Sequence, residues 1–524
     1  MNISEKAAAV LLALTTVLTF SAAAHAAPKI APPPSDFKVS FIPKPWEVNV
    51  ERGYLFLDKD WKFFKGAPQR IKSIDTAAQG ISNPKKYKLR DGAEAPIGEK
   101  CEHPESADCD DSSWISVNVP FNWYDLGEEM DGFIGTVWYR KTLSIDKKQL
   151  SGRAEIQFWG AYYRAWVYVN GEKVGFHEGG YTPFSFDVTR LLKPGRNQIA
   201  VRVDNSIDSG DIRIGDWWNY GGLHREAMLV FTSASYIKDL DVKTTLSPDL
   251  NKADVDFRID TAGNGADEAR AYIYRLSDKG KTLIGSVSRK LSRTGPTSLP
   301  WRVSKPALWS PESPSLYFVK TVLFSNNKPI DGLGSIFGIR KFEVRGMKLF
   351  LNNKQVFFRG VNRHDEFFHG EFPDAGRVAT EQERIKDFKL IKEMRANGMR
   401  TGHYPNHPYN YYITDRLGIM VIEEGGPVNS ELDDDVLIDK IKTQMSEMIA
   451  RDKNHPSIVI WSIGNEFGGD RFLKYIKAAA AHTRSLDSRP ITFTETAERI
   501  VTEGYNYVDI LSRNEYAGWY IGVL

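Results

Sequence analysis

Short stretches in which apolar and polar residues alternate fill the first two thirds of this chain. The last third switches to apolar runs separated by segments with helical spacing. Residues 154–159 and 165–169 alternate with period two, as strands buried on one face do. Asn170-Gly171 follows the second of them, and both residue types accept the positive φ of a tight hairpin turn. Residues 197–203 repeat the pattern. The stretch from about 45 to 235 therefore predicts an all-β sandwich. Strand-like segments at 237–246, 253–259, 271–276 and 316–324 predict a second sandwich over 236–344. About a hundred residues of short strands without a core cysteine pair suit an immunoglobulin-like fold.

From 345 onward, strands alternate with amphipathic helices. Strands are expected at 356–361, from 398, and at 419–422, 458–463, 491–494 and 508–511. Helices are expected at 381–397, 411–417, 436–451 and 470–486. Such βα alternation implies a parallel sheet with right-handed crossovers. Six strands in about 180 residues fall short of the eight strands and roughly 250 residues of a complete (β/α)₈ barrel.

A chain of 524 residues exceeds one typical domain, which agrees with this division. Lys+Arg 69 against Asp+Glu 67 leaves a net charge of +2, which makes no electrostatic case for a nucleic acid or an anionic membrane as partner. The N-terminus adds a targeting reading. Lys6 precedes an apolar stretch from 7 to 20, and Ala24 and Ala26 fit a cleavage site. This predicts a signal peptide over 1–26, export to the periplasm or the outside, and no membrane span after cleavage; an uncleaved anchor is the other reading. Residues 27–44 form a Pro-rich lead-in. The two cysteines, Cys101 and Cys109, either close a short loop in an oxidising compartment or stay free thiols.

Candidate chemistry concentrates at 454–466. The apolar, β-branched run 458–463 reads as a buried parallel strand. Asn465-Glu466 follow it, at the end where a barrel of this type carries its reactive groups. A loop glutamate beyond a core strand is the plainer alternative. Other chemistries fare worse. Gly280-Lys281-Thr282 ends like a phosphate-binding loop, but Arg275 stands where its first glycine belongs. His177-Glu178 lacks the second histidine of a helical zinc site.

Three blocks resemble glycoside hydrolase family 2, the group of β-galactosidases, β-glucuronidases and β-mannosidases. They are Phe358-Arg359-Gly360-Val361-Asn362-Arg363-His364-Asp365, Met399-Arg400-Thr401-Gly402-His403-Tyr404-Pro405 and Trp461-Ser462-Ile463-Gly464-Asn465-Glu466. Trp138-Tyr139-Arg140 and Gly221-Gly222-Leu223-His224-Arg225-Glu226 agree in the front part. The resemblance implies a jelly-roll β-sandwich over 45–235, an immunoglobulin-like β-sandwich over 236–344 and an incomplete TIM barrel, about six of eight strands, over 345–524. It also implies a retaining exo-β-glycosidase acting on a carbohydrate substrate, with two carboxyl groups about 5–5.5 Å apart. Glu466 would be the acid/base and Asn465 would hydrogen-bond the sugar 2-hydroxyl. His403, His364, Asp365, Tyr516 and Trp519 would touch the sugar. Trp217 and Trp218 serve a sugar platform or domain packing equally well. No cofactor is required. Mg²⁺, which several members bind, finds no matched ligand set here, and Glu423 and Glu424 read as orienting or structural carboxylates. The blocks lean toward galactosidase-like members, and a homo-oligomer is left open.

The family's nucleophilic glutamate ends the seventh barrel strand, and no strand here matches it. Glu495 and Glu515 lie near the barrel mouth without matching that position. The expectation is an interrupted gene product. Completion by another chain, and a relative kept for sugar binding alone, are the competing readings.

Overall fold

The computed structural model describes residues 52–68, 101–126, 130, 133–206, 219–292, 294–369, 372–376, 378–428, 434–467, 472–496 and 503–516. The expected signal segment and lead-in, and Trp217, Trp218 and Trp519, lie outside them.

Alternation of apolar residues builds the front part from two antiparallel sheets. A six-stranded sheet runs Ile115–Val117, Trp61–Pro68, Gly135–Ile145, Gly195–Asp204, Arg164–Val169, Glu172–Glu178 in spatial order. A four-stranded sheet runs Gly53–Phe56, Ala227–Thr232, Arg153–Phe158, Phe184–Asp187. Val137, Tyr139, Val167 and Val201 of the first meet Ile156, Phe158 and Leu229 of the second in one buried cluster. The Asn170-Gly171 hairpin forms as expected, with φ of +51° and +90°. A second pair of antiparallel sheets, of three and four strands between Tyr236 and Phe337, closes around Phe257, Ile273, Val319 and Phe337.

Cys101 and Cys109 are bonded to one another. Their loop wraps the buried Arg140, whose guanidinium donates to the Pro104 and Ser106 carbonyls and to Asp111. Closing so short a loop removes about 2–3 kcal/mol of freedom from the unfolded chain. The Cys101→Ser/Cys109→Ser variant is therefore expected to unfold at lower urea, with a loss of about that size, followed by tryptophan fluorescence. An unchanged midpoint would show that the Arg140 clasp alone sets the loop's stability.

The last third is an all-parallel sheet of six strands. They are β1 (Gly360–Arg363), β2 (Gly398–Thr401), β3 (Met420–Glu424), β4 (Ile458–Ser462), β5 (Ile491–Glu495) and β6 (Ile510–Arg513), hydrogen-bonded in chain order. Helices α1 (Glu381–Glu393), α2 (Pro408–Leu417), α3 (Asp435–Asp452) and α4 (Leu473–Leu486) connect them. The strands divide their apolar residues between two faces. Met399, Val421, Trp461, Ile491 and Phe493 face the helices. Met420, Ile422, Ile460 and Ile510 face the other way, toward Trp309 and Phe318. The first strand starts later than expected, at Gly360 rather than 356, because Lys354–Val356 instead pairs antiparallel with Lys348–Leu351. Helix α2 starts three residues early because Pro408 sits at its first turn, where a missing N–H costs nothing, and His407 caps it. Helix α1 stops short of 397: Arg395, at φ +59°, has left the helix.

Candidate active site

Because the six strands are parallel, their C-terminal ends share one rim. Polar residues occupy the inward positions there: Arg400 on β2, Glu424 and Ser462 on β3 and β4, with His364, His403, Asn465, Glu466, Asn514 and Tyr516 just beyond the strand ends. Apolar residues fill the same face lower down.

Glu466 is half-buried and sits at φ +59°, a conformation that costs a non-glycine residue about 1–2 kcal/mol. Its neighbours hold it there. The Asn465 N–H donates to the Pro427 carbonyl at 3.1 Å and the Phe467 N–H to Thr494 at 3.2 Å. The Tyr475 hydroxyl donates to the Ile463 carbonyl at 2.6 Å. The Tyr516 hydroxyl donates to the Glu466 carboxylate, and the Asn514 amide donates to the same oxygen at 3.2 Å. Strain kept at a polar residue on a rim is typical of a functional position.

Behind Glu466 lies a charged network. Glu424 is wholly buried and accepts from Arg400, His403 and Ser462. Burial would raise its carboxyl; the Arg400 charge and the His403 and Ser462 hydrogen bonds outweigh that and hold it at about 2. Arg400 also reaches the Asn465 side-chain oxygen at 2.7 Å. The His364 ring stands 5.4 Å from that of His403, edge to face, so both imidazoles share the rim. Glu423, one residue before Glu424, points to the opposite side and accepts from the Tyr411 hydroxyl at 2.7 Å. Burial, then the nearby Asp452, pushes its carboxyl well above the usual range against the pull of Arg451.

Asp365 departs from expectation. It is 3% exposed and its carboxylate accepts from Arg384, Arg363, Asn410 and the His407 N–H, so it is no sugar contact. It sits where the front part docks. The Tyr220 hydroxyl donates to the Asp365 carbonyl at 2.5 Å, Arg225 donates to the Pro405 carbonyl at 2.8 Å, and Glu226 meets His407 at 2.8 Å. Arg400 is the residue that sequence reasoning left out of the site, whereas Asn514 lies in the loop after the sixth strand that the resemblance places at the border of the sugar pocket. A charged residue inside a short apolar strand was the available signal for Arg400.

Glu495 and Glu515 do not face Glu466 with a vacant carboxylate. Glu495 is 1% exposed, shares its strand face with Phe493 and accepts from Tyr505 at 2.6 Å. Glu515 is exposed and pairs with Arg513 at 3.2 Å. Among the described residues no group of three or more His, Cys, Asp or Glu is placed to hold a metal ion. The Glu424 oxygens are engaged by Arg400, His403 and Ser462.

Comparison with known proteins agrees with this arrangement. Residues 65–233 match the sugar binding domain of glycosyl hydrolases family 2, residues 235–340 a second domain of that family, and residues 342–523 its TIM barrel domain. A putative beta-glucuronidase of Formosa agariphila is 31% identical over 427 residues, 79% of this chain and 51% of that protein. A beta-galactosidase of Leuconostoc mesenteroides is 29% identical over 440 residues, 81% of this chain and 39% of that protein. The structure of Bacteroides uniformis beta-glucuronidase 2, covalently bound to cyclophellitol-6-carboxylate aziridine, superposes with a TM-score of 0.74 at 26% identity, covering 90% of this chain and 56% of that one. This chain thus spans about half the length of the Formosa protein. With matches to three successive domains of one family and a rim built around Asn465 and Glu466, the chain belongs to glycosyl hydrolase family 2.

Proposed function

We propose that this chain supplies the acid/base side of a retaining exo-β-glycosidase and that its sugar is a terminal β-D-glucuronide. The observation that carries the reading is Glu466, strained at a strand end and gripped by Tyr516 and Asn514 beside a buried Asn465. The Glu466 carboxyl proton passes to the glycosidic oxygen as the C–O bond breaks, while a second carboxylate, one other than the engaged Glu424, Glu495 and Glu515, bonds to the anomeric carbon. Glu466, now a carboxylate, then takes a proton from water, whose oxygen displaces the enzyme carboxylate. Asn465 donates to the 2-hydroxyl, and His403 and His364 border the ring. The β-glucuronidase names of the Formosa and Bacteroides proteins favour a glucuronide over the galactoside toward which the sequence blocks lean.

A second reading, sugar binding without turnover, is favoured by the engagement of Glu424, Glu495 and Glu515 with other partners. The two antiparallel sandwiches fit the jelly-roll and immunoglobulin-like folds. The Cys101–Cys109 bond supports a periplasmic or secreted location, as does the signal-like N-terminus.

Initial rates with 4-methylumbelliferyl β-D-glucuronide and β-D-galactoside test both readings. The glucuronide is expected to turn over faster. A faster galactoside would overturn the sugar assignment. No turnover of either, with calorimetric binding of D-glucuronic acid, would establish the second reading.

A further inference from the structure

Both Glu424 oxygens are engaged by rim side chains, and the carboxylate is closed to solvent. A carboxylate offers about four acceptor sites. Its Oε1 accepts from His403 Nδ1 at 2.6 Å. Its Oε2 accepts from Arg400 Nε at 2.9 Å, Arg400 Nη2 at 2.6 Å and Ser462 Oγ at 2.6 Å. The side chain is 0% exposed, and its own N–H donates to Thr401 Oγ1 at 2.8 Å. Whatever Glu424 contributes must therefore pass through its partners.

Two consequences follow from donor and acceptor chemistry alone. Arginine carries no acceptor, so the Asn465 atom lying 2.7 Å from Arg400 Nη2 must be its oxygen. Asn514 Nδ2 donates to that same oxygen at 3.2 Å. The Asn465 amide is thus turned so that its NH₂, not its carbonyl, remains for a ligand. Arg400 in turn is aimed by the two bonds it makes to Glu424. At His403, an anionic partner accepts only, so Nδ1 carries the proton toward Glu424 and Nε2 carries the ring's lone pair in the neutral form.

We infer that Glu424 is a positioning residue: through Arg400 it fixes which way the Asn465 amide faces, and through Nδ1 it fixes the His403 tautomer. One buried charge thereby sets the polarity of two contacts on the rim. Asn465 offers a donor to a sugar oxygen, and His403 an acceptor to a sugar hydroxyl proton. The sugar part of this inference rests on the glycosidase reading above; the tautomer part does not.

The test combines nitrogen NMR of histidine-labelled protein with calorimetry, using D-glucuronic acid as the probe. The His403 signal is assigned by its loss in His403→Gln. Wild-type His403 is expected as the Nδ1–H tautomer. In Glu424→Gln it is expected to lose that signature, and D-glucuronic acid affinity to fall at least about tenfold, the size of one charge-assisted hydrogen bond. Glu423→Gln, one residue away on the opposite strand face, is expected to change neither readout. Arg400→Lys keeps the cation but cannot bridge Glu424 and Asn465 together; it is expected to lose affinity while His403 keeps its tautomer. Should Glu424→Gln fail to fold, Arg400→Lys and the wild-type tautomer decide the matter. An Nε2–H tautomer in the wild type, or wild-type affinity in Arg400→Lys, would sink the inference. If the wild type binds no D-glucuronic acid, the sugar reading falls, while the tautomer measurement still judges Glu424.

Discussion

A Glu466→Gln chain is expected to cleave methyl β-D-glucuronide about 10²–10⁴-fold more slowly than the wild type, the usual worth of a positioned general acid. The reasoning is chemical. Methoxide is a poor leaving group and cannot depart without a proton, and Gln has none to give. The substitution otherwise leaves the site as it was. Gln keeps the volume, keeps an oxygen for the Tyr516 hydroxyl and the Asn514 amide, and keeps a non-glycine residue at φ +59°. The loss should therefore depend on the leaving group. With a 4-nitrophenyl glucuronide the phenolate departs with little assistance, so the first step should slow far less. The pair of substrates separates acid catalysis from a general collapse of the site, which would slow both equally. Equal losses in kcat/KM, which reports the first step alone, or none, would remove Glu466 from the acid/base role. A wild-type chain that turns over neither substrate would remove the catalytic reading and leave sugar binding.

Much of the fold was legible because it rests on local rules. Period-two alternation announced the strands of both sandwiches, and Asn170-Gly171 marked a turn that needs positive φ at two successive residues. Six parallel strands were countable because each is a short apolar run bounded by a helix. Boundaries failed where one residue carries two meanings. Pro408 reads as a breaker yet is accommodated at a first helical turn, and residues 354–356 are strand-like but belong to a different sheet. At the site, Asn465 and Glu466 stood out as polar residues directly after a buried run. Glu424 and Arg400 could not be read together in this way. They meet across adjacent strands, 24 positions apart, and nothing local shows that two inward-facing charges will neutralise one another. Asp365 misled for the same reason. A polar residue after a strand points to a rim, but whether it faces a ligand or an arginine is decided by α1, which supplies Arg384 from 19 residues away.

That misreading yields the largest stability effect. Asp365→Asn is expected to destabilise the parallel-sheet part by about 3–5 kcal/mol, the cost of removing one partner from a buried ion pair. Asp365 accepts from Arg384 at 2.7 and 3.0 Å and from Arg363 at 3.1 Å, and all three residues are buried. Asn fills the same space but leaves the buried Arg384 guanidinium without its anion, while Arg363 keeps only Asp387. The effect has a pH signature whose sign is fixed. Burial would raise the Asp365 carboxyl, but Arg384, then Arg363 and Arg225, hold it well below its ordinary value. A depressed carboxyl contributes stability that is present above its unfolded value of about 3.9 and is lost as pH falls through the folded value. The gap between wild type and Asp365→Asn should thus stay constant from neutral pH down to about 5 and close in stronger acid. Urea unfolding at several pH values measures it. Because Tyr220, Arg225 and Glu226 dock against the same cluster, the variant should also loosen the front part, so protection of the 219–226 amides from hydrogen exchange should fall with it. A gap that widens in acid, or a variant as stable as wild type at neutral pH, would show that the arginines find other partners and that Asp365 does not hold this junction.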